Sequence, residues 1–102
     1  MIQYEEKEYE LKYNLKRLEI IEAATGISTL ANVKQTGGLL GISSLKAYFA
    51  HALKEEGADS FVSPKKATEI CESLIESEGY ETVCGLVLEC LQRDCPFFFP
   101  AA

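Results

Sequence analysis

Residues 43–57 read SSLKAYFAHALKEEG, and this stretch carries the clearest helical pattern in the chain. Its apolar residues recur at spacings of three and four, which places their side chains on one face of an α-helix. They are Leu45, Tyr48, Phe49, Ala52 and Leu53. Ser43 or Ser44 can cap the start of this helix, and Gly57 can end it. The pattern predicts an amphipathic helix that leaves His51 on its solvent-exposed face.

Two more helices are predicted on the C-terminal side of this stretch. Ser63 followed by Pro64 is typical of an N-cap with proline at the first helical position, and Gly79 marks the end of that helix. A further helix spans about 81–93, and Pro96 prevents its continuation. Gly85 lies inside this last helix, where glycine costs up to about 1 kcal/mol and is tolerable if it permits a close contact with another helix.

The N-terminal side combines a strand pattern with helix signals. Ile2 and Tyr4 alternate with polar residues, as do the apolar residues of 9–13, and this period of two predicts a β-hairpin whose strands are separated by the polar run 5–8. An isolated hairpin is marginally stable, so it must lie on helices or on another copy of the chain. Asn14 is a good N-cap for a helix over 15–25.

The region 26–42 is less regular. Gly26 can end the preceding helix, and residues 28–33 can form a short one. We therefore predict a predominantly helical α+β fold, with an N-terminal β-hairpin followed by about four helices. It forms one domain, made of the hairpin (1–13), a helical core (14–94) and an aromatic tail (95–102).

Composition narrows the class of function. The chain has 102 residues and a net charge of −6, with 10 Lys and Arg against 16 Asp and Glu. Nucleic-acid affinity depends largely on basic side chains, so nucleic acids and anionic membrane surfaces are not expected partners. No apolar run approaches the roughly 20 residues that span a bilayer, and the charged N-terminus does not resemble a signal peptide. We expect a cytoplasmic protein.

Catalytic and metal-binding chemistry is not evident. The four cysteines, Cys71, Cys84, Cys90 and Cys95, lack the close CxxC spacing of a zinc site, and we expect buried, reduced thiols. His51 is the only histidine, and no nucleophile is placed beside it in the sequence. The sequence therefore favours a protein that binds other proteins, without catalytic activity and without a cofactor or metal.

The tail carries the strongest candidate binding residues, Phe97, Phe98 and Phe99. Three adjacent rings cannot all point inward from one extended strand, because neighbouring side chains alternate between its faces. Exposed aromatic groups of this kind mark protein-binding sites, although the tail can instead fold back and complete the core. Leu39 and Leu40, in the glycine-rich region, are a second candidate with the same two alternatives.

The sequence resembles the small tail assembly chaperones of long-tailed bacteriophages, particularly those of Gram-positive hosts. The resemblance covers nearly the whole chain. It rests on the hairpin at 4–11, on 14–17, on SLKAYFA at 44–50 and LKEEG at 53–57, on IESEGY at 75–80, and on LQRDCPFFF at 91–99. Glu6 departs from it, because such sequences commonly have glycine in the hairpin turn.

This resemblance implies a function. Such chaperones bind the tape measure protein, a very long helical chain, and keep it soluble while the tail tube protein polymerises around it. They are not retained in the finished virion. The expected partners are therefore the tape measure protein and further copies of the chain itself, with the tail tube protein as a further candidate. A phenylalanine run at this point is also compatible with a slippery codon stretch that yields a longer, frameshifted form.

Two other classes of function stay open. One is a small structural component of the tail or of the head–tail connector, which would persist in purified virions. The other is a thiol-dependent enzyme that uses Cys84 or Cys90, and it requires an activated thiolate.

Overall fold

A computed structural model describes residues 2–98 of the chain. Within them, three short β-strands near the N-terminus are combined with five α-helices and a C-terminal 3-10 turn. In chain order the elements are β1 (Ile2–Tyr4), β2 (Lys7–Leu11), α1 (Leu15–Thr25), α2 (Thr29–Thr36), α3 (Ile42–Ala50), β3 (Leu53–Glu55), α4 (Pro64–Glu78), α5 (Tyr80–Asp94) and the turn Pro96–Phe98. The fold is α+β and predominantly helical, as the sequence predicts.

The N-terminal hairpin turns more tightly than predicted. Its loop is Glu5 and Glu6 alone, since Lys7 and Glu8 already belong to β2 and pair with Tyr4 and Gln3. Both loop residues have positive φ, 48° and 66°, the combination that a type I′ turn requires. Glutamate is strained in this left-handed region, where glycine is not.

The helix predicted over residues 43–57 begins at Ile42 with Gly41 as its N-cap, so neither Ser43 nor Ser44 caps it, and the prediction is wrong beyond Ala50. The chain leaves the helix at His51, and Leu53–Glu55 form β3, which pairs antiparallel with β2. The sheet order is therefore β1-β2-β3. Ala52 and Leu53 fit the helical period but are buried equally well from the turn and the strand that follow the helix, and the third strand supplies the support that an isolated hairpin lacks. His51 is consequently a half-buried residue at the helix end.

The other helix boundaries follow local signals. Asn14 Oδ1 accepts a hydrogen bond from the Arg17 N–H at 2.9 Å, and Ser63 Oγ accepts one from the Lys66 N–H at 3.3 Å. α1 therefore spans the predicted residues, α4 begins at Pro64, and α5 differs from prediction by one residue at each end. The short helix predicted over 28–33 continues as α2 to Thr36.

Two tyrosines connect the elements in the core. The Tyr13 hydroxyl donates to the Tyr48 carbonyl oxygen at 3.0 Å, and the Tyr48 hydroxyl donates to Thr29 Oγ1 at 3.0 Å. All three residues are buried. We call Tyr13, Tyr48 and Thr29 the tyrosine hub. It joins the end of the sheet to α3 and α2, and it satisfies the polar groups that burial removes from water.

The end of α5 is tied to the end of β2. Asp94 accepts a hydrogen bond from the Tyr13 N–H at 2.9 Å and two from the Arg93 guanidinium at 2.8 Å, and Lys12 lies 3.7 Å from it. Arg93 also donates to the Leu11 carbonyl oxygen. Burial alone would raise the pKa of the Asp94 carboxyl, but these donors outweigh burial and hold the pKa below its ordinary value.

Gly85 does not make the close helix contact that would explain a glycine inside α5. The residue is exposed, and no described atom outside its own turn lies within 4 Å of where a Cβ would stand. A close approach occurs instead at Gly38, where an added Cβ would lie 2.6 Å from Leu88 Cδ1. Gly38 has a φ of 92°, so both space and backbone conformation favour glycine there.

Candidate protein-binding groove

The tail residues Phe97 and Phe98 lie in the C-terminal turn. Phe97 is 63% exposed, whereas Phe98 is half-buried and packs against the core. The two rings are in contact, with centroids 4.9 Å apart. Residues 96–98 form a 3-10 turn, so the strand alternation assumed from the sequence does not apply to them. Phe99, the third candidate, lies outside the described residues.

Phe98 faces the outer surface of α1 across a shallow groove. Leu15, Leu18, Glu19, Glu22 and Phe98 line this surface, which we call the C-terminal groove. Its volume is about 320 Å³, at the lower end of the roughly 300–1,000 Å³ typical of small-molecule sites, and it is open to solvent. Such a surface suits side chains of another protein better than an enclosed ligand.

Leu15 is exposed because of where α1 begins. Asn14 caps the helix, which makes Leu15 its first residue, and the buried side of the helix then falls on Leu18 and Ile21. Leu15 lies only about 60° around the helix from Leu18, but at the first position of α1 it is 63% exposed, as much as Phe97. Sequence reasoning missed Leu15, because its spacing of three residues from Leu18 places it beside the apolar stripe and predicts burial.

Two carboxylates border the groove. Glu22 is held in place, since its Oε2 accepts the Thr29 N–H at 2.6 Å. Glu19 is exposed. Neither carboxylate forms a salt bridge with another of residues 2–98. The groove therefore combines exposed apolar surface with two carboxylates that form no salt bridge within residues 2–98.

The second candidate pair divides between surface and core. Leu40 is fully buried, and its carbonyl oxygen accepts a weak hydrogen bond from Cys84 Sγ at 3.8 Å. Leu39 is 52% exposed, and nearby in sequence Ile42 is 59% exposed. Leu40 is a core residue, and only Leu39 of the pair is available at the surface.

A larger groove, of about 420 Å³, lies between β1 and the ends of α4 and α5. Its lining residues Ile2 and Val83 are almost fully buried, and Leu74 and Leu86 are half-buried. None of the strongly exposed apolar residues of the described chain lies in it. The C-terminal groove therefore has stronger features of a protein-binding surface than this larger groove.

All four cysteines are buried free thiols, as predicted. Burial raises the pKa of each thiol, that of Cys71 to about 12. Thiols of this kind stay protonated near neutral pH, and the protonated form is a poor nucleophile. Residues 2–98 contain no cluster of potential metal ligands and no helix that is long and apolar enough to cross a membrane.

Comparison with known proteins yields no relative: no protein-family model, no curated protein and no solved structure matches this chain.

Proposed function

We propose that this protein is a tail assembly chaperone of a long-tailed bacteriophage or prophage, which binds the tape measure protein in the bacterial cytoplasm and leaves before the virion is complete. Two features support the proposal. The first is the sequence resemblance described above. The second is the C-terminal groove, which includes Phe98 and borders on Phe97, both within one of the stretches that carry the resemblance.

The exposed apolar surface of the groove is the observation that carries the proposal. A long amphipathic chain that awaits its tube aggregates through its own apolar stripe. A small protein that presents Leu15 and Phe97, each 63% exposed, can cover part of that stripe in the way that chaperones cover apolar surface. Tape measure chains covered by many bound copies, each with a net charge of −6, would also repel one another and stay in solution.

The test is co-expression with the tape measure protein of the same phage. We expect the wild type to keep that protein in the soluble fraction of the lysate. The double variant Leu15→Ser with Phe97→Ser should remain folded by circular dichroism and fail to do so. The matched control, Leu39→Ser with Ile42→Ser, removes two equally exposed apolar side chains elsewhere and should retain the activity.

Two results would contradict the proposal. The first is a wild-type protein that leaves its tape measure protein insoluble. The second is mass spectrometry of purified virions that finds the protein in stoichiometric amounts, because that would make it a structural component of the tail or of the head–tail connector.

A further inference from the structure

We infer that the C-terminal groove takes a basic amphipathic helix, with the apolar stripe of that helix on Leu15, Leu18 and Phe98 and its Lys or Arg side chains toward Glu19 and Glu22. The inference rests on the proposed function to the extent that it takes such a helix to be a segment of the tape measure protein. It adds the chemistry by which the segment is recognised.

The shape of the groove fits a helix. The groove runs along α1 from Leu15 to Glu22, a distance of about 10 Å at 1.5 Å per residue, or two helical turns. A docked helix presents apolar side chains at spacings of three, four and seven residues, so two turns supply three or four anchors. Leu18 and Phe98 form the floor for these anchors, and the exposed Leu15 and Phe97 can cover their sides.

The charges around the groove select a basic partner. Glu19 and Glu22 lie on its α1 side, and two of the neighbouring cations are directed elsewhere. Arg17 stacks on the Phe61 ring, 3.8 Å from its centroid, and donates to the His51 carbonyl oxygen. Lys12 is paired with Asp94.

One further cation stands beside the groove. Lys16 is exposed and lies about 60° around α1 from Glu19, three residues before it, and about 120° from Glu22. The two lining carboxylates together with Lys16 give a net local charge of −1, which favours Lys or Arg on a docked helix.

The same charges disfavour a second copy of this chain as the occupant. Each copy has a net charge of −6, so association through an acidic groove is opposed unless one of the few basic segments docks there. Exposed ion pairs each contribute modestly, about a two- to fivefold change in affinity, so charge sets the choice of partner while the apolar contacts supply most of the affinity.

The experiment uses two fluorescent peptides and the full-length protein. Both peptides are designed amphipathic helices of about 18 residues with the same leucine stripe; one has Lys on its flanks and the other has Glu in the same positions. Fluorescence anisotropy should show that the Lys peptide binds about tenfold or more tightly than the Glu peptide, with a difference that shrinks as salt is added. Equal binding of the two peptides would overturn the inference.

Variants locate the binding and separate its two components. Leu15→Ser and Phe97→Ser should each weaken binding of the Lys peptide about fivefold to tenfold, as loss of an apolar anchor does. Glu19→Lys should weaken binding of the Lys peptide about threefold or more and strengthen binding of the Glu peptide. The controls Ile42→Ser and Glu69→Lys alter equally exposed positions that do not line the groove and should change neither. An equal loss with the controls would overturn the inference.

The inference and the proposed function can fail separately. If the Lys peptide binds the groove but the tape measure protein stays insoluble on co-expression, the groove is assigned correctly and the chaperone proposal falls. If the tape measure protein is rescued equally by wild type and Glu19→Lys, and the peptides bind alike, the chaperone proposal stands and the charge-selective groove falls. A third outcome concerns self-association of the wild type. If Leu15→Ser abolishes that self-association but leaves peptide binding unchanged, a second copy occupies the groove and the inference is overturned.

Discussion

The two sides of α1 differ in whether their apolar groups are buried and their polar groups are paired. On its inner side, near the tyrosine hub, buried hydroxyls are hydrogen-bonded and the apolar side chains are fully covered. On its outer side, Leu15 is exposed and Glu19 has no ion partner among residues 2–98. Hydrogen-bonded and buried groups stabilise the fold, whereas exposed apolar groups and unpaired charges are available to a partner. Substitutions on the inner side should therefore change stability, and those on the outer side should change binding.

The largest effect is expected at Phe49, which is fully buried on α3. Phe49→Ala should lower the free energy of unfolding by about 3–5 kcal/mol, the cost of a cavity plus lost apolar burial. Urea denaturation followed by circular dichroism measures it. Ile42→Ala on the same helix is the control and should cost less than about 1 kcal/mol, because its side chain is mostly exposed. Similar costs at both positions would mean that α3 buries a different face.

Asp94 tests the link between β2 and α5. Asp94→Asn should cost about 1–3 kcal/mol at neutral pH, because the carboxylate, whose side chain is 5% exposed, accepts charge-assisted hydrogen bonds from Arg93.

The pH dependence of this cost follows from the lowered pKa of Asp94. A carboxyl whose pKa is lower in the folded state contributes stability above its unfolded pKa of about 3.9, and loses it as the pH falls through the folded pKa. The difference between wild type and Asp94→Asn should thus be constant from about pH 6 to 8 and close below about pH 4. A gap that persists in acid would assign the effect to packing.

Tyr48→Phe tests the tyrosine hub with a single atom. The change removes the hydroxyl that donates to Thr29 Oγ1 and leaves the buried threonine without this partner, at a cost of about 1 kcal/mol. Tyr4→Phe is the control, since the Tyr4 side chain has no hydrogen bond to another described residue, and it should change stability by less than about 0.5 kcal/mol. Thermal unfolding of both variants measures the difference, and equal stability changes in the two variants would mean that the hub hydrogen bond does not stabilise the fold.

Glu6→Gly should raise stability. Glu6 occupies a backbone conformation with a φ of 66°, where glycine avoids a steric cost of about 1–2 kcal/mol. Part of this gain is lost, because glycine also raises the conformational entropy of the unfolded chain. We expect a net gain of about 0.5–1 kcal/mol by urea denaturation. Glu8→Gly, at an exposed position within β2, should instead lose about 0.5–1 kcal/mol. A loss at both positions would exclude strain at Glu6.

The smallest effect on stability is expected at Leu15, on the outer side of α1. Leu15→Ser should change the free energy of unfolding by less than about 0.5 kcal/mol, because the side chain is 63% exposed and little apolar area is buried. The same variant is expected to lose peptide binding. A destabilisation as large as that of Tyr48→Phe would show that Leu15 supports the fold, and the contrast between the two sides of α1 would be lost.

Most helix boundaries could be predicted because their signals are local. Asn14 and Gly26 bracket α1, and Ser63, Pro64 and Gly79 bracket α4; each acts on backbone groups within a few residues of itself. The α+β class, the hairpin and the buried free cysteines were predictable for the same reason, from spacing and composition. The Phe97 and Phe98 candidates could be named because an aromatic run is visible without any knowledge of the fold.

What the sequence by itself determined is thus the set of local elements and the candidate aromatic tail, whereas the tertiary structure decided which residues meet. Ala52 and Leu53 match a helical period, yet residues 53–55 pair with β2 because a strand beside the hairpin buries Leu53 and completes the sheet. Leu39 and Leu40 are chemically alike, and only packing against α5 decides that Leu40 is core. The C-terminal groove joins Leu15 to Phe98 from opposite ends of the chain. Periodicity and capping act over a few residues, while burial depends on neighbours in space, which only the folded chain brings together.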